Sequence, residues 1–231
     1  MVSEIYWKSL IFIFILFLLS ACGTGYQEKD GAYVFVEWNE AQGKVEHPID
    51  STNPGTFQVL DSGGYAKDNQ NVFYQWQVVE GADPASFEAI SALYGKDANQ
   101  VYYQGKMIPG ADPEQFALLN IQWGRDGTDV YRQDIPIQAC DPASFRFLKN
   151  GWQRDDQCVY REGRKIEGGD VASFKVINDW YAKDKNHVYD SFPRIIEGAD
   201  PATFRLKEGK CQVCAQDKNR CYRYEEVVEC D

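Results

Sequence analysis

Three sets of residues have types and spacings that could do chemistry: a ladder of aspartates, seven cysteines and a column of aromatics. Asp68, Asp97, Asp126, Asp155 and Asp184 recur every 29 residues, and Asp217 follows after 33. Oxygen donors at short, fixed offsets are how calcium loops are built. The tetrads here do not keep such offsets: the residues after each Asp are Asn-Gln-Asn, Ala-Asn-Gln, Gly-Thr-Asp, Asp-Gln-Cys, Lys-Asn-His and Lys-Asn-Arg. An Asp opening a polar tetrad is better suited to accept hydrogen bonds from amides further round a turn. Each is therefore read as a structural pin, and no metal site is assigned. Paired carboxylates of the glycosidase kind abound, but none differs from its counterparts in other copies. His47 falls in an N-terminal loop insertion and His187 at a variable turn position, neither beside a nucleophile or metal-ligand motif. No catalytic residue is assigned and no cofactor is expected.

The odd cysteine has its own explanation. Lys8 precedes an unbroken apolar run from Leu10 to Leu19, and the small residues Ser20 and Ala21 lead into Cys22. A basic start, a short apolar run and a small-residue cleavage site describe an export signal. The run falls short of the ~20 residues that span a bilayer. The order Leu19-Ser20-Ala21-Cys22 resembles the lipobox of bacterial lipoproteins. That resemblance implies a signal peptide over 1–21, acylation of Cys22 by palmitate-type chains, and a lipidated N-terminus and polar tether over 22–29. The membrane lipid would be one partner, and the cell envelope the location. In a Gram-negative host Gly23, which is not Asp, favours the outer membrane. The alternative is an ordinary secreted signal with a coincidental Cys.

Six cysteines then remain, and an oxidising compartment reads them as three disulfides. Cys140 and Cys158 lie in neighbouring copies and can staple them, while Cys211, Cys214, Cys221 and Cys230 supply two bridges at the C-terminal end, their pairing left open. A redox pair at Cys211-Gln-Val-Cys214 and a four-cysteine zinc site are the functional alternatives.

The elements that position these groups follow from the repeat. Three residues before each Asp stands Tyr65, Tyr94, Trp123, Trp152 or Tyr181, and four after it Val72, Val101, Val130, Val159 or Val188. The next residue is Phe73, Tyr102, Tyr131, Tyr160 or Tyr189, with Tyr222 in the last copy. A second landmark reads Asp83-Pro84-Ala85-Ser86-Phe87 and recurs at Asp112, Asp141, Asp170 and Asp200. Asp30, Val34 and Phe35 begin an earlier copy, and Asn53-Pro54-Gly55-Thr56-Phe57 follows it. The repeat domain spans 30–231, with copies starting near 30, 68, 97, 126, 155 and 184 and a truncated one at 217. Each copy reads as short strands joined by turns, with one helical corner at Asp-Pro. One such unit cannot bury its own apolar face, but stacked neighbours can.

The fold class is all-β, an array of 29-residue β-meander repeats in an open solenoid-like stack. Closure like a β-propeller is the alternative, although propeller blades usually need ~40–45 residues. The run Asp184-Lys185-Asn186-His187-Val188-Tyr189, with Asp97-Ala98-Asn99-Gln100-Val101-Tyr102-Tyr103, resembles the DKNYY family of bacterial proteins. The resemblance covers Asp30 to the end and implies an envelope association, but no reaction.

Charge narrows the function. With 24 Lys and Arg against 35 Asp and Glu the net charge is −11, which excludes a nucleic-acid partner held by clustered cations. A strand places Val and the following aromatic on opposite faces. Phe73, Tyr102, Tyr131, Tyr160, Tyr189 and Tyr222 would therefore form a column that, if exposed, could bind a polysaccharide or an extended protein segment. The opposing reading buries both faces. The expected role is a non-catalytic, lipid-anchored scaffold for an envelope protein or glycan. An inhibitor or immunity-type protein masking a basic partner, and an envelope hydrolase, are the alternatives.

Overall fold

The computed structural model describes residues 23–209, 211 and 213–230. The expected signal segment and Cys22 lie outside the described residues. Among those described, secondary structure is almost wholly short strand, arranged in seven small antiparallel sheets, none closing into a barrel. The chain divides into two compact units at Met107 and Ile108.

In the first unit, β1 (Gly25–Lys29), β2 (Ala32–Asn39) and β3 (Gly43–Pro48) form a three-stranded sheet. This corrects two expectations. The polar tether is shorter than 22–29, because pairing begins at Gly25 opposite Val36. The stretch from Trp38 to Pro48, with His47, is a regular hairpin rather than a loop. Asp30 also differs from the later aspartates. It sits with Gly31 in a two-residue turn, both at positive φ, which brings the strands together without a four-residue tetrad.

The second sheet shows the recurring unit: β4 (Gln58–Val59), β5 (Tyr65–Lys67), β6 (Val72–Tyr74) and β7 (Gln77–Val78), in that order. The Asp68 tetrad joins β5 to β6, and Gln75 at φ 56° opens the tight turn into β7. Sheets over 88–107, 117–136, 146–165 and 205–228 repeat this four-strand meander. The sheet over 175–189 has three strands, its fourth reduced to a bridge between Tyr189 and Ile195. The last copy, expected to be truncated, has a complete sheet. The Asp-Pro corners are mostly turns, and Pro142–Ser144 is the one helical turn among the described residues. Asp141 makes no side-chain cap there; its carboxylate accepts from Ser144 Oγ at 2.6 Å instead.

Core packing joins consecutive copies within each unit. Tyr65, Val72, Val79 and Phe87 close over Tyr102 of the next copy. Trp123, Val130, Ile137 and Phe145 do the same over Tyr160. The sheets over 58–78, 146–165 and 175–189 thus turn their Val towards one apolar layer and the following aromatic towards another. Both faces of these three sheets are buried because each lies between two cores. Close approach fixes small residues at some positions: a Cβ on Gly124 would lie 2.2 Å from Phe116 Cζ, and one on Gly95 2.3 Å from Phe87 Cζ.

Candidate functional site

The aspartate ladder is the most repeated polar feature, and its geometry is the same in copy after copy. Asp155 Oδ1 accepts from the amides of Gln157 at 2.7 Å and Cys158 at 2.5 Å, closing its own turn. Its Oδ2 accepts from the Asp141 amide at 2.9 Å and from the Tyr160 hydroxyl at 2.6 Å. Asp97, Asp126, Asp184 and Asp217 accept the corresponding four sets. Asp68 accepts three amides, because Phe73 has no hydroxyl to offer. One carboxylate therefore ties its tetrad, the preceding Asp-Pro corner and the core aromatic together.

Electrostatics match this role. Burial alone would raise the carboxyls of Asp97, Asp126, Asp155 and Asp184, but the converging N–H and O–H donors outweigh it and hold them below the usual range. At Asp217 the same balance brings the value down to about 2. The partner phenols move the other way: burial first, then the Asp126 carboxylate, pushes Tyr131 up to about 12. A carboxylate saturated by four donors is an anchor, and it has little basicity left for proton transfer.

Two cations complete the corner, and sequence reasoning missed both. Lys67, Lys96, Arg125, Arg154 and Lys183 stand directly before an Asp. Lys67 Nζ donates to the carbonyls of Pro84 and Phe87, both at 2.9 Å, and Lys183 does the same to Pro201 and Phe204. Arg125 and Arg154 reach corner carbonyls of their next copies. The available signal was a basic residue at a fixed place in an acidic chain. The second cation is the Lys after Asp: Lys185 and Lys218 pair with Asp170 and Asp200 at 2.7 and 2.9 Å.

The aromatic column lies elsewhere than a binding surface requires. Phe73, Tyr102, Tyr131, Tyr160, Tyr189 and Tyr222 are 0–1% exposed, so no ligand reaches them. Each sheet's second face is covered by the preceding copy, which leaves these rings as core, with hydroxyls spent on the aspartates.

The six remaining cysteines form three disulfides: Cys140–Cys158, Cys211–Cys214 and Cys221–Cys230. The first joins an Asp-Pro corner to the next tetrad. Cys221, at a Val position, is buried as core. His47 stacks on Trp76 at 3.9 Å with Nε2 3.1 Å from Glu37, and His187 lies beside Asp184 and Tyr189. No group of three or more His, Cys, Asp or Glu among the described residues could hold a metal ion. Nor is any described helix long and apolar enough to cross a membrane.

Accessible concavities lie at the edges of the sheets. In the first unit one groove of about 630 Å³ involves Thr24, Gly25, Trp38, Val59 and Ser62. Another, of about 490 Å³, runs between Val78 and Met107 with Tyr74, Gln104 and Lys106. In the second unit a groove of about 380 Å³ has Trp180, Leu206 and Cys211 in its wall.

Fold and site together define a class: an all-β repeat protein whose turns are pinned by a carboxylate that also clamps the neighbouring aromatic. The chain belongs to the DKNYY family, whose sequence pattern matches residues 2–106 and 94–226. No curated protein and no solved structure matches it.

Proposed function

We propose that this chain is a lipid-anchored, non-catalytic scaffold of the bacterial envelope that binds a protein or glycan through the edges of its sheets. The observation that carries this reading is the saturation of the aspartate ladder. The carboxylates that are the most numerous candidate acids and bases are committed to turn amides and phenols. What the repeat leaves outward is apolar edge: Val78, Met107, Ile135, Ile195 and Val227, all on or beside fourth strands, are exposed. Anchorage is supported by the Leu19-Ser20-Ala21-Cys22 run and the apolar stretch before it.

The test has two arms. The full chain, expressed in a bacterium fed labelled palmitate, should take up label and partition with membranes, and Cys22→Ala should abolish both. For binding, the exported Cys22→Ala chain is mixed with purified peptidoglycan and, separately, crosslinked in intact envelopes. Co-sedimentation or a discrete crosslinked partner, weakened by Val78→Lys with Met107→Lys, is the expected result. Absence of both refutes the scaffold reading.

A further inference from the structure

We propose that the Trp38–Lys44 end of the first hairpin is a membrane-contact surface, seated at the headgroup level of an anionic phospholipid bilayer. The inference deepens the anchored reading and rests on it. Pairing starts at Gly25, so an acylated Cys22 stands only three residues from a fixed strand. Three extended residues reach about 10 Å. A lipid on Cys22 therefore holds the start of β1 against the bilayer, and whatever lies beside that start must face lipid headgroups.

What lies there has interfacial chemistry. Gly25 pairs with Val36, two residues before Trp38, and Trp38 stands opposite Lys44 across the hairpin. A Cβ placed on Gly23 would be 3.3 Å from Lys44 Nζ, so this ammonium adjoins the residue after the anchor. Trp38 is 70% exposed, whereas Trp152, a landmark aromatic of the repeat, is fully buried. With Thr24, Gly25 and the exposed Val59 it lines the same groove. An indole prefers the membrane–water interface, and a Lys beside it is attracted to anionic headgroups. Glu40 in the adjoining turn opposes deeper entry, which sets the depth at the headgroups. The acidic remainder of the chain is repelled by the same surface, so this end is the one that approaches.

The experiment uses the full chain, expressed with labelled palmitate and reconstituted in vesicles of phosphatidylethanolamine and phosphatidylglycerol doped with brominated lipid. Bromine quenches only tryptophans at the bilayer. Quenching should fall roughly twofold or more in Trp38→Phe and stay unchanged in Trp180→Phe. Lys44→Glu should weaken it on vesicles containing phosphatidylglycerol but not on uncharged ones. Because Trp38 is exposed, its replacement by Phe leaves the core intact. Label on the protein with quenching unchanged in Trp38→Phe overturns the contact and leaves the anchor standing. Quenching that depends on Trp38 without label overturns the anchor and leaves the contact. Neither label nor quenching overturns both.

Discussion

The pinned aspartate makes strong demands on single residues. Removing the carboxylate in Asp155→Ala strands three partly buried amides and a buried phenol, so the cost is about 3 kcal/mol. Tyr160→Phe removes only the hydroxyl and should cost about 1.5 kcal/mol, since the copy at Asp68 already works with Phe73. Urea midpoints with unchanged slopes would check both values and their order. A pH effect follows from the same site. The carboxyls are held below their unfolded value of ~3.9, so the unfolded chain takes up protons first as pH falls. The stability they confer is present above that unfolded value and is lost as pH falls through their lowered values; for Asp217 of the same ladder that value is about 2. Acid denaturation followed by near-ultraviolet dichroism should show this loss, and Asp155→Ala should flatten it.

Elements are constrained by how closely copies approach, and here sequence and structure differ most usefully. The 29-residue period, the strands around Val and the turn at each Asp were legible because each copy repeats the same local chemistry. Spacing alone did not reveal that both Val and the aromatic after it are covered, since this depends on the preceding copy supplying a second layer. Likewise, the first hairpin has Asp30, Val34 and Phe35 in the expected order, yet its two-residue turn removes the need for a pin. The cation before five of the six aspartates was visible, but Lys67, Arg125, Arg154 and Lys183 reach carbonyls, which have no sequence identity to read. The small residue after the landmark aromatic is set by the same packing. Gly124→Ala should cost about 1–3 kcal/mol through collision with Phe116, and Phe116→Leu should recover part of that loss in a double-mutant cycle. The staple between elements is measurable too. Cys140 and Cys158 are 18 residues apart, so replacing both by Ser should cost about 3 kcal/mol, and replacing Cys211 and Cys214, three apart, should cost less.

At the scale of the whole molecule, stability is a chain of nearest-neighbour terms. Among the described residues, these core clusters take their side chains from consecutive copies, and none of them spans distant ones. In such an array a local loss is felt by the adjoining layers and fades beyond them. The sheet over 146–165 shares Tyr160 with the layer of Trp123 and Phe145, and Trp152 and Val159 with the layer of Ala182 and Tyr189. The sheet over 205–228 packs instead with Tyr181, Val188 and Ile196. Asp155→Ala should therefore speed amide exchange across 117–189 and leave 205–228 close to the unmodified protein. Exchange monitored by mass spectrometry resolves these segments. Uniform loss of protection through residue 228 would show a single cooperative block and contradict the layered account. A graded loss would mean that one copy can loosen to admit a partner while the rest of its unit stays folded, a property suited to a scaffold that binds along its edges.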